Sequence, residues 1–165
     1  MSALASSTRK RYYRRAMPVE IVRRDAGKKF PSRKLKAIAL KLLELVKQDK
    51  AELSLALVGN AEIQRLNAKF RKKNYPTDVL SFPAEDGLPG AVRLLGDVII
   101  SVDKARQQAR ERGRTLDEEM ATLLIHGVLH LLGYDHERSA KDARIMERLE
   151  KQVYRALCDQ NILQV

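Results

Sequence analysis

The stretch from Thr115 to His136, TLDEEMATLLIHGVLHLLGYDH, constrains the fold of this chain most strongly. It opens with Thr115 followed three residues later by Glu118, a pattern that caps the start of a helix. From Met120 to Leu132 the side chains are apolar on nearly every side of that helix, which is typical of a helix at the centre of a domain. The sequence therefore predicts that the other elements pack around this helix.

All three histidines of the chain fall in the same stretch, at His126, His130 and His136. A spacing of four stacks the first two rings on one helix face. Gly133 is the residue most able to leave the helix in a left-handed conformation, which lets His136 approach the same point. Three neutral imidazoles around one point suit a catalytic Zn²⁺ whose fourth position is left for water. Core histidines bonded to backbone carbonyls are the alternative, but the threefold pattern favours a metal.

The spacing H-x-x-x-H-x-x-G-x-x-H also matches the metzincin proteases, which carry a glutamate directly after the first histidine. This chain has Gly127 at that position. A glycine cannot accept a proton, so the protease mechanism loses its general base. The pattern thus favours a hydrolytic metal centre with other supporting groups.

The positive charge of the chain is concentrated near its beginning. The net charge is +11, and residues 1–36 hold twelve Lys and Arg against two acids, while the remainder holds twenty against nineteen. This asymmetry favours attraction to a polyanion, either RNA, DNA or an acidic membrane surface. Residues 1–17 contain no acid and place Tyr12 and Tyr13 among cations, which predicts a disordered basic arm suited to unpaired bases and phosphates. An organelle transit peptide, a cloning-derived extension and a solubilising tail are the alternatives. The folded domain is then predicted to span residues 18–165.

The remaining pattern predicts one domain of the α+β class, with one sheet of about four strands packed against helices. Asn60 is expected to cap a helix, and Gly96 to mark a bulge or a close backbone approach. The last helix is expected to bury a stripe that includes Ile145, Leu149 and Val153. The expected strands are Pro18–Val22, Leu53–Val58, Thr77–Pro83 and Leu94–Ser101.

The cysteine content and the hydropathy indicate where the protein works. Cys158 is the single cysteine, so no internal disulfide forms, which fits a reducing compartment. No run of apolar residues is long enough for a transmembrane helix. A cytoplasmic protein without a membrane partner is therefore expected.

Three segments together resemble one known family. They are Leu66–Arg71 continuing into Pro76–Pro83, the triplet Leu95-Gly96-Asp97, and His126–His136. These segments resemble the YbeY family of bacterial and organellar rRNA maturation factors over roughly residues 50–140. The resemblance implies a small mixed sheet with the metal-binding helix at its centre. The basic arm lies outside the family pattern.

The resemblance also implies an activity and a set of partners. It implies a single-strand-specific endoribonuclease that acts in 16S rRNA 3′-end maturation and in ribosome quality control. It implies one Zn²⁺ held by His126, His130 and His136, and a functional arginine at Arg71. The implied partners are ribosomal RNA, the small ribosomal subunit and the GTPase Era.

Further residues fit RNA hydrolysis on chemical grounds. Arg71 offers a planar fork for a phosphate and keeps its charge, although a cation at a helix end is often only a surface residue. Lys72 and Lys73 can attract phosphates or can simply be solvated. Asp97 and Asp135 are candidates for orienting a histidine ring.

Three classes of function compete on this sequence. The first is a metal-dependent ribonuclease and the second a metzincin-like protease. The third is a non-catalytic ribosome-assembly factor with a structural metal. A structural site would be closed by a fourth protein ligand, for which Asp135 and Cys158 are the candidates, whereas an open fourth position favours catalysis.

Overall fold

The structure is a computed structural model that describes residues 18–85, 87, 89 and 92–164. The predicted basic arm, residues 1–17, lies outside the described residues. A short 3-10 helix at Asp25–Lys29 follows the first strand. The strands and α-helices are β1 (Val19–Arg23), α1 (Ser32–Leu45), β2 (Glu52–Val58), α2 (Asn60–Arg71), β3 (Val79–Pro83), β4 (Leu94–Ser101), α3 (Val102–Glu111), α4 (Leu116–Leu131) and α5 (Ala140–Asp159).

The four strands form one mixed sheet in the order β1-β2-β4-β3. Strands β1, β2 and β4 run parallel, and β3 pairs antiparallel with β4. Parallel neighbours need long crossovers, and α1 and α2 lie in these connections. The predicted α+β fold with a small mixed sheet is confirmed, and β3 is an edge strand.

Helices cover both faces of the sheet. The larger hydrophobic cluster joins α1, α4 and α5 to one face, whereas α2 packs on the other face through Ile63 and Leu66. Helix α4 contacts α1, α3, α5, β3 and β4, and its residues Leu124 and Val128 are fully buried. The predicted central helix is confirmed. None of the described helices combines the length and the apolar character needed to cross a bilayer.

Both ends of α4 follow the sequence signals. The Thr115 hydroxyl accepts the Glu118 backbone N–H at 3.2 Å, and the Glu118 carboxylate accepts the Thr115 N–H at 2.7 Å. After the helix, Gly133 has a φ of +94°, which favours glycine. The Tyr134 N–H then donates to the Leu129 carbonyl at 3.1 Å and turns the chain back along the helix. This turn brings the residues that follow toward the histidines of α4.

The expected cap at Asn60 is wrong, whereas the expected irregularity at Gly96 is confirmed. The Asn60 side chain accepts the Ser101 hydroxyl, and its backbone N–H donates to Asp103 Oδ2 at 2.9 Å. A backbone N–H at the start of α2 is therefore bound by Asp103, a residue that follows β4. The sequence around Asn60 cannot show so distant a partner. At Gly96 the φ is +137°, and the pairing with β2 shifts by one residue between Glu52 and Leu53.

Candidate active site

The three histidines converge. His126 and His130 lie on α4, and His136 follows the turn at Gly133. Their ring centroids are 4.6, 5.1 and 5.3 Å apart, and one ring nitrogen from each lies within 4.8 Å of the others. Among the described residues this is the one such group of His, Cys, Asp or Glu side chains, and neither Asp135 nor Cys158 belongs to it. The described part of the chain thus offers three donors and no fourth.

The donor set fits a metal ion. The Nε2 atoms of His126 and His130 are 3.0 Å apart. Two nitrogens on one tetrahedral Zn²⁺ lie about 3.3 Å apart, given Zn–N distances of about 2.0 Å. Burial lowers the pKa of His130, and so does positive charge on His126 and His136. The lowered pKa favours the neutral imidazole, which is the form that binds metals.

Glu150 on α5 orients His126, a role that was not predicted from the sequence. The Glu150 carboxylate and the Nδ1 atom of His126 form a hydrogen bond. A carboxylate on one ring nitrogen fixes the tautomer and leaves the other nitrogen for a metal. The buried residues Met146, Val153 and Leu157 lie at helical spacing with Glu150. The sequence signal for this role is a glutamate at a position of the helix where the apolar stripe leads one to expect an apolar residue.

Replacing Glu150 with Ala is expected to weaken metal binding roughly 10- to 100-fold while the fold stays intact. Glu150→Gln should lose less, because its amide oxygen still accepts from Nδ1. Competition with a chromophoric chelator measures the affinity without relying on activity. Glu147→Gln is the matched control, because Glu147 is exposed on α5 and bonds to Lys151. Equal affinity in Glu150→Ala and wild type would contradict the orienting role.

The structure does not bring Asp97 to the histidines, so its expected orienting role is wrong. Val98, the next residue on β4, faces α4 at Gly127. Successive side chains of a strand point to opposite faces, so the buried Asp97 belongs to the face away from α4. Asp135 does line the histidine cavity. Its carboxylate accepts the Glu137 backbone N–H at 2.9 Å and lies 3.5 Å from Arg138 rather than holding a ring.

The packing of α4 against the sheet requires a residue without a side chain at Gly127. A Cβ built there would lie 2.7 Å from Val98 Cγ1 and 3.2 Å from Ser81 Oγ. The Ser81 hydroxyl donates to the Gly127 carbonyl at 3.0 Å. The position that holds the general base in metzincins therefore faces the sheet in this chain, with no room for a side chain.

Arg71 shares one cavity with the histidines. It is the last residue of α2, and its Nη2 atom donates to the Ser81 carbonyl on β3 at 2.8 Å. Its guanidinium carbon lies 5.5 Å from the centre of the Phe82 ring. The cavity has a volume of about 640 Å³, and Lys73 and the edge strand β3 also line it. Lys72 takes a left-handed φ of +58° and is not among the lining residues.

Comparison with known proteins identifies the family. The family model described as "Endoribonuclease YbeY" matches residues 20–158. This chain belongs to the YbeY family. The match extends well beyond the three segments on which the resemblance rested and includes Glu150.

Relatives and a solved structure agree with the YbeY assignment. A protein of Sulfurihydrogenibium named Endoribonuclease YbeY is 45% identical over 135 residues, which cover 82% of this chain and 86% of that protein. One of the same name from Myxococcus xanthus is 59% identical over 105 residues, which cover 62% of this chain and 35% of that longer protein. The solution structure of TM1509 from Thermotoga maritima has a TM-score of 0.61 and 30% identity, and covers 86% of this chain and 90% of that one.

Proposed function

We propose that this chain is a zinc-dependent endoribonuclease that cuts single-stranded RNA in 16S rRNA 3′-end maturation and in ribosome quality control. The observation that carries the proposal is one open cavity, in a YbeY-family chain, where three histidines converge beside Arg71. Residues 18–165 form the catalytic domain. Its partners are ribosomal RNA, the small ribosomal subunit and the GTPase Era, in the cytoplasm.

The histidines would hold the zinc ion through three ring nitrogens. The chemistry that zinc supplies when bound is Lewis acidity, which lowers the pKa of water to about 7 and neutralises phosphate charge. The part of the protein is to present neutral imidazoles in a fixed arrangement. Burial favours the neutral form of His130. The hydrogen bond with Glu150 fixes the orientation of the His126 ring. The three-donor group favours an open site over a structural one.

Arg71 would bind the phosphate. A guanidinium has five N–H donors, and the hydrogen bond to the Ser81 carbonyl uses one of them. That bond and the Phe82 ring hold the side chain along the wall of the cavity, so the remaining donors are available to a phosphate in bidentate geometry. Lys73 adds a second positive charge to the same wall. The site is thus built to bind an anionic backbone.

Asp135 would shape the site rather than act as its base. The hydrogen bond from the Glu137 N–H, aided by Arg138, lowers the pKa of this carboxyl below its usual range. A carboxylate with a lowered pKa is a weak proton acceptor at neutral pH. Its bonds instead fix the turn that carries His136.

Replacing Arg71 with Gln is expected to lower kcat/KM for a single-stranded RNA roughly 100-fold, because one fixed phosphate donor is lost. Metal content should stay at the wild-type level, because Arg71 does not touch the histidines. Gel analysis of cleavage products and mass spectrometry of bound metal measure the two effects. Arg65→Gln is the matched control, since Arg65 is exposed on α2 and pairs with Glu62. Cleavage at the wild-type rate by Arg71→Gln would remove Arg71 from the site.

The metalloprotease alternative has one observation in its favour. The edge strand β3 lines the cavity, and an exposed edge can bind an extended peptide as an additional strand. The packing of Gly127 against Val98 weighs against it, because no side chain can act as a base from that position. A ribonuclease also explains the two cations of the wall, which a peptide backbone does not require.

A further inference from the structure

An exposed aromatic ring lies at the cavity of the proposed active site. Tyr75 is 53% exposed and lines the cavity together with Arg71, Lys73 and the histidines. Single exposed apolar side chains are common on protein surfaces, so exposure alone indicates nothing. What requires an explanation is that Tyr75 lines the same cavity as two cations and the histidine cluster.

The backbone that carries Tyr75 is held firmly against α2. The Asn67 side chain is 2% exposed, and its Nδ2 atom donates to the Tyr75 carbonyl at 2.9 Å. The Asn67 carbonyl accepts the Lys73 N–H at 3.3 Å, and Gln64 donates to the Asn74 side chain at 3.1 Å. The buried Asn67 side chain therefore fixes the position of this loop. A ring on a fixed loop loses little conformational entropy when it binds a ligand.

The Tyr75 ring itself is left open. Within residues 18–85 and 92–164 it makes no ring–ring contact, cation contact or hydrogen bond through its hydroxyl. The neighbouring aromatics differ, because Phe70 and Phe82 pack edge to face at 5.2 Å. Tyr75 thus presents a free aromatic ring in the cavity that Arg71 and Lys73 also line.

We propose that Tyr75 is a nucleobase-stacking residue, whose ring takes the face of an unpaired base beside the phosphate bound by Arg71. This inference rests on the proposed function and deepens it. Both faces of a base inside a duplex are covered by its neighbours, so only an unpaired base can stack on the ring. Every base has an aromatic face, so the contact selects single strands without selecting a sequence. Tyr75 is then a source of single-strand specificity.

Kinetics of ring variants test the stacking directly. Tyr75→Ala is expected to raise the KM for a short single-stranded RNA roughly tenfold, with kcat within about twofold, because stacking contributes binding rather than chemistry. Tyr75→Phe should keep the wild-type KM, since it keeps the ring. Leu40→Ala is the matched control: Leu40 is 37% exposed on α1, and it does not line this cavity.

Fluorescence gives a second readout that does not depend on cleavage. The chain contains no tryptophan, so Tyr75→Trp and Leu40→Trp each introduce a single reporter. In stopped-flow mixing before cleavage, single-stranded RNA should quench the Tyr75→Trp signal. The same RNA annealed to its complement, and an abasic strand of equal length, should quench it far less. Leu40→Trp should respond to none of the three.

The outcomes separate this inference from the proposed function. If wild type cleaves RNA but Tyr75→Ala keeps its KM, or the abasic strand quenches Tyr75→Trp as strongly as RNA, the stacking role is overturned and the ribonuclease stands. If wild type cleaves no RNA, the proposed function has failed, and quenching of Tyr75→Trp still decides whether this ring binds bases.

Discussion

Replacing His126 with Ala is expected to remove the bound metal and to lower RNA cleavage at least 1000-fold, or about 4 kcal/mol of transition-state stabilisation. Two of the three donor nitrogens remain, and Glu150 loses the ring that it orients. Two imidazoles with no third donor hold a zinc ion poorly, because structural and catalytic sites use at least three protein ligands. Metal content and cleavage, measured on the same preparation, should fall together.

A control on the same helix shows whether the loss is specific. Thr122 lies one turn before His126 on α4, and its hydroxyl donates to the Glu118 carbonyl. Thr122→Ala should keep both metal and activity. Urea denaturation of both variants establishes that each is folded. His126→Ala protein that is free of metal and still cleaves RNA would show that the histidines serve another purpose.

Introducing the metzincin glutamate through Gly127→Glu is expected to destabilise the fold rather than create a protease. The new Cβ would lie 2.7 Å from Val98 Cγ1, so α4 must move away from the sheet. Overpacking costs about 1–3 kcal/mol, and a buried carboxylate without a partner adds several more. The sum, more than about 4 kcal/mol, is a large part of a typical unfolding free energy of about 5–15 kcal/mol. Circular dichroism and urea denaturation should report a largely unfolded or barely stable protein.

Gly127→Ala separates the steric part of this effect from the charge. It adds the Cβ alone, so the expected loss is about 1–3 kcal/mol in the free energy of unfolding. The hydrogen bond from Ser81 to the Gly127 carbonyl should weaken with it, because the helix must shift. A stable Gly127→Glu protein would contradict the packing argument.

The sequence predicts the centre of this molecule well because its signals there are local. The apolar surface of α4, the capping pair of Thr115 and Glu118, and the turn at Gly133 each depend on residues only a few positions apart. Helical spacing and a left-handed turn then bring His126, His130 and His136 together. Predicting that these three side chains group together needs no knowledge of the rest of the fold, and they do lie together in the structure.

The surroundings of the site could not be predicted in the same way because they depend on how distant elements pack. Of the stripe expected on α5, Val153 is buried, but Ile145 and Leu149 are only half-buried and Met146 is buried instead. This orientation of the helix brings Glu150 to His126. The role expected for Asp97, orienting a histidine ring, is wrong for a related reason. One residue of alternation on a strand decides which face of the sheet a side chain occupies, and the sequence does not fix that choice.

Chelation of the wild-type protein distinguishes a metal-dependent ribonuclease from a chain that cleaves RNA without a metal. Purified protein should contain about one zinc ion per chain, lose cleavage of 16S rRNA precursor when the metal is removed, and regain it when zinc is restored. Product ends mapped before and after restoration should be the same. Full cleavage by protein shown to be free of metal would contradict the account.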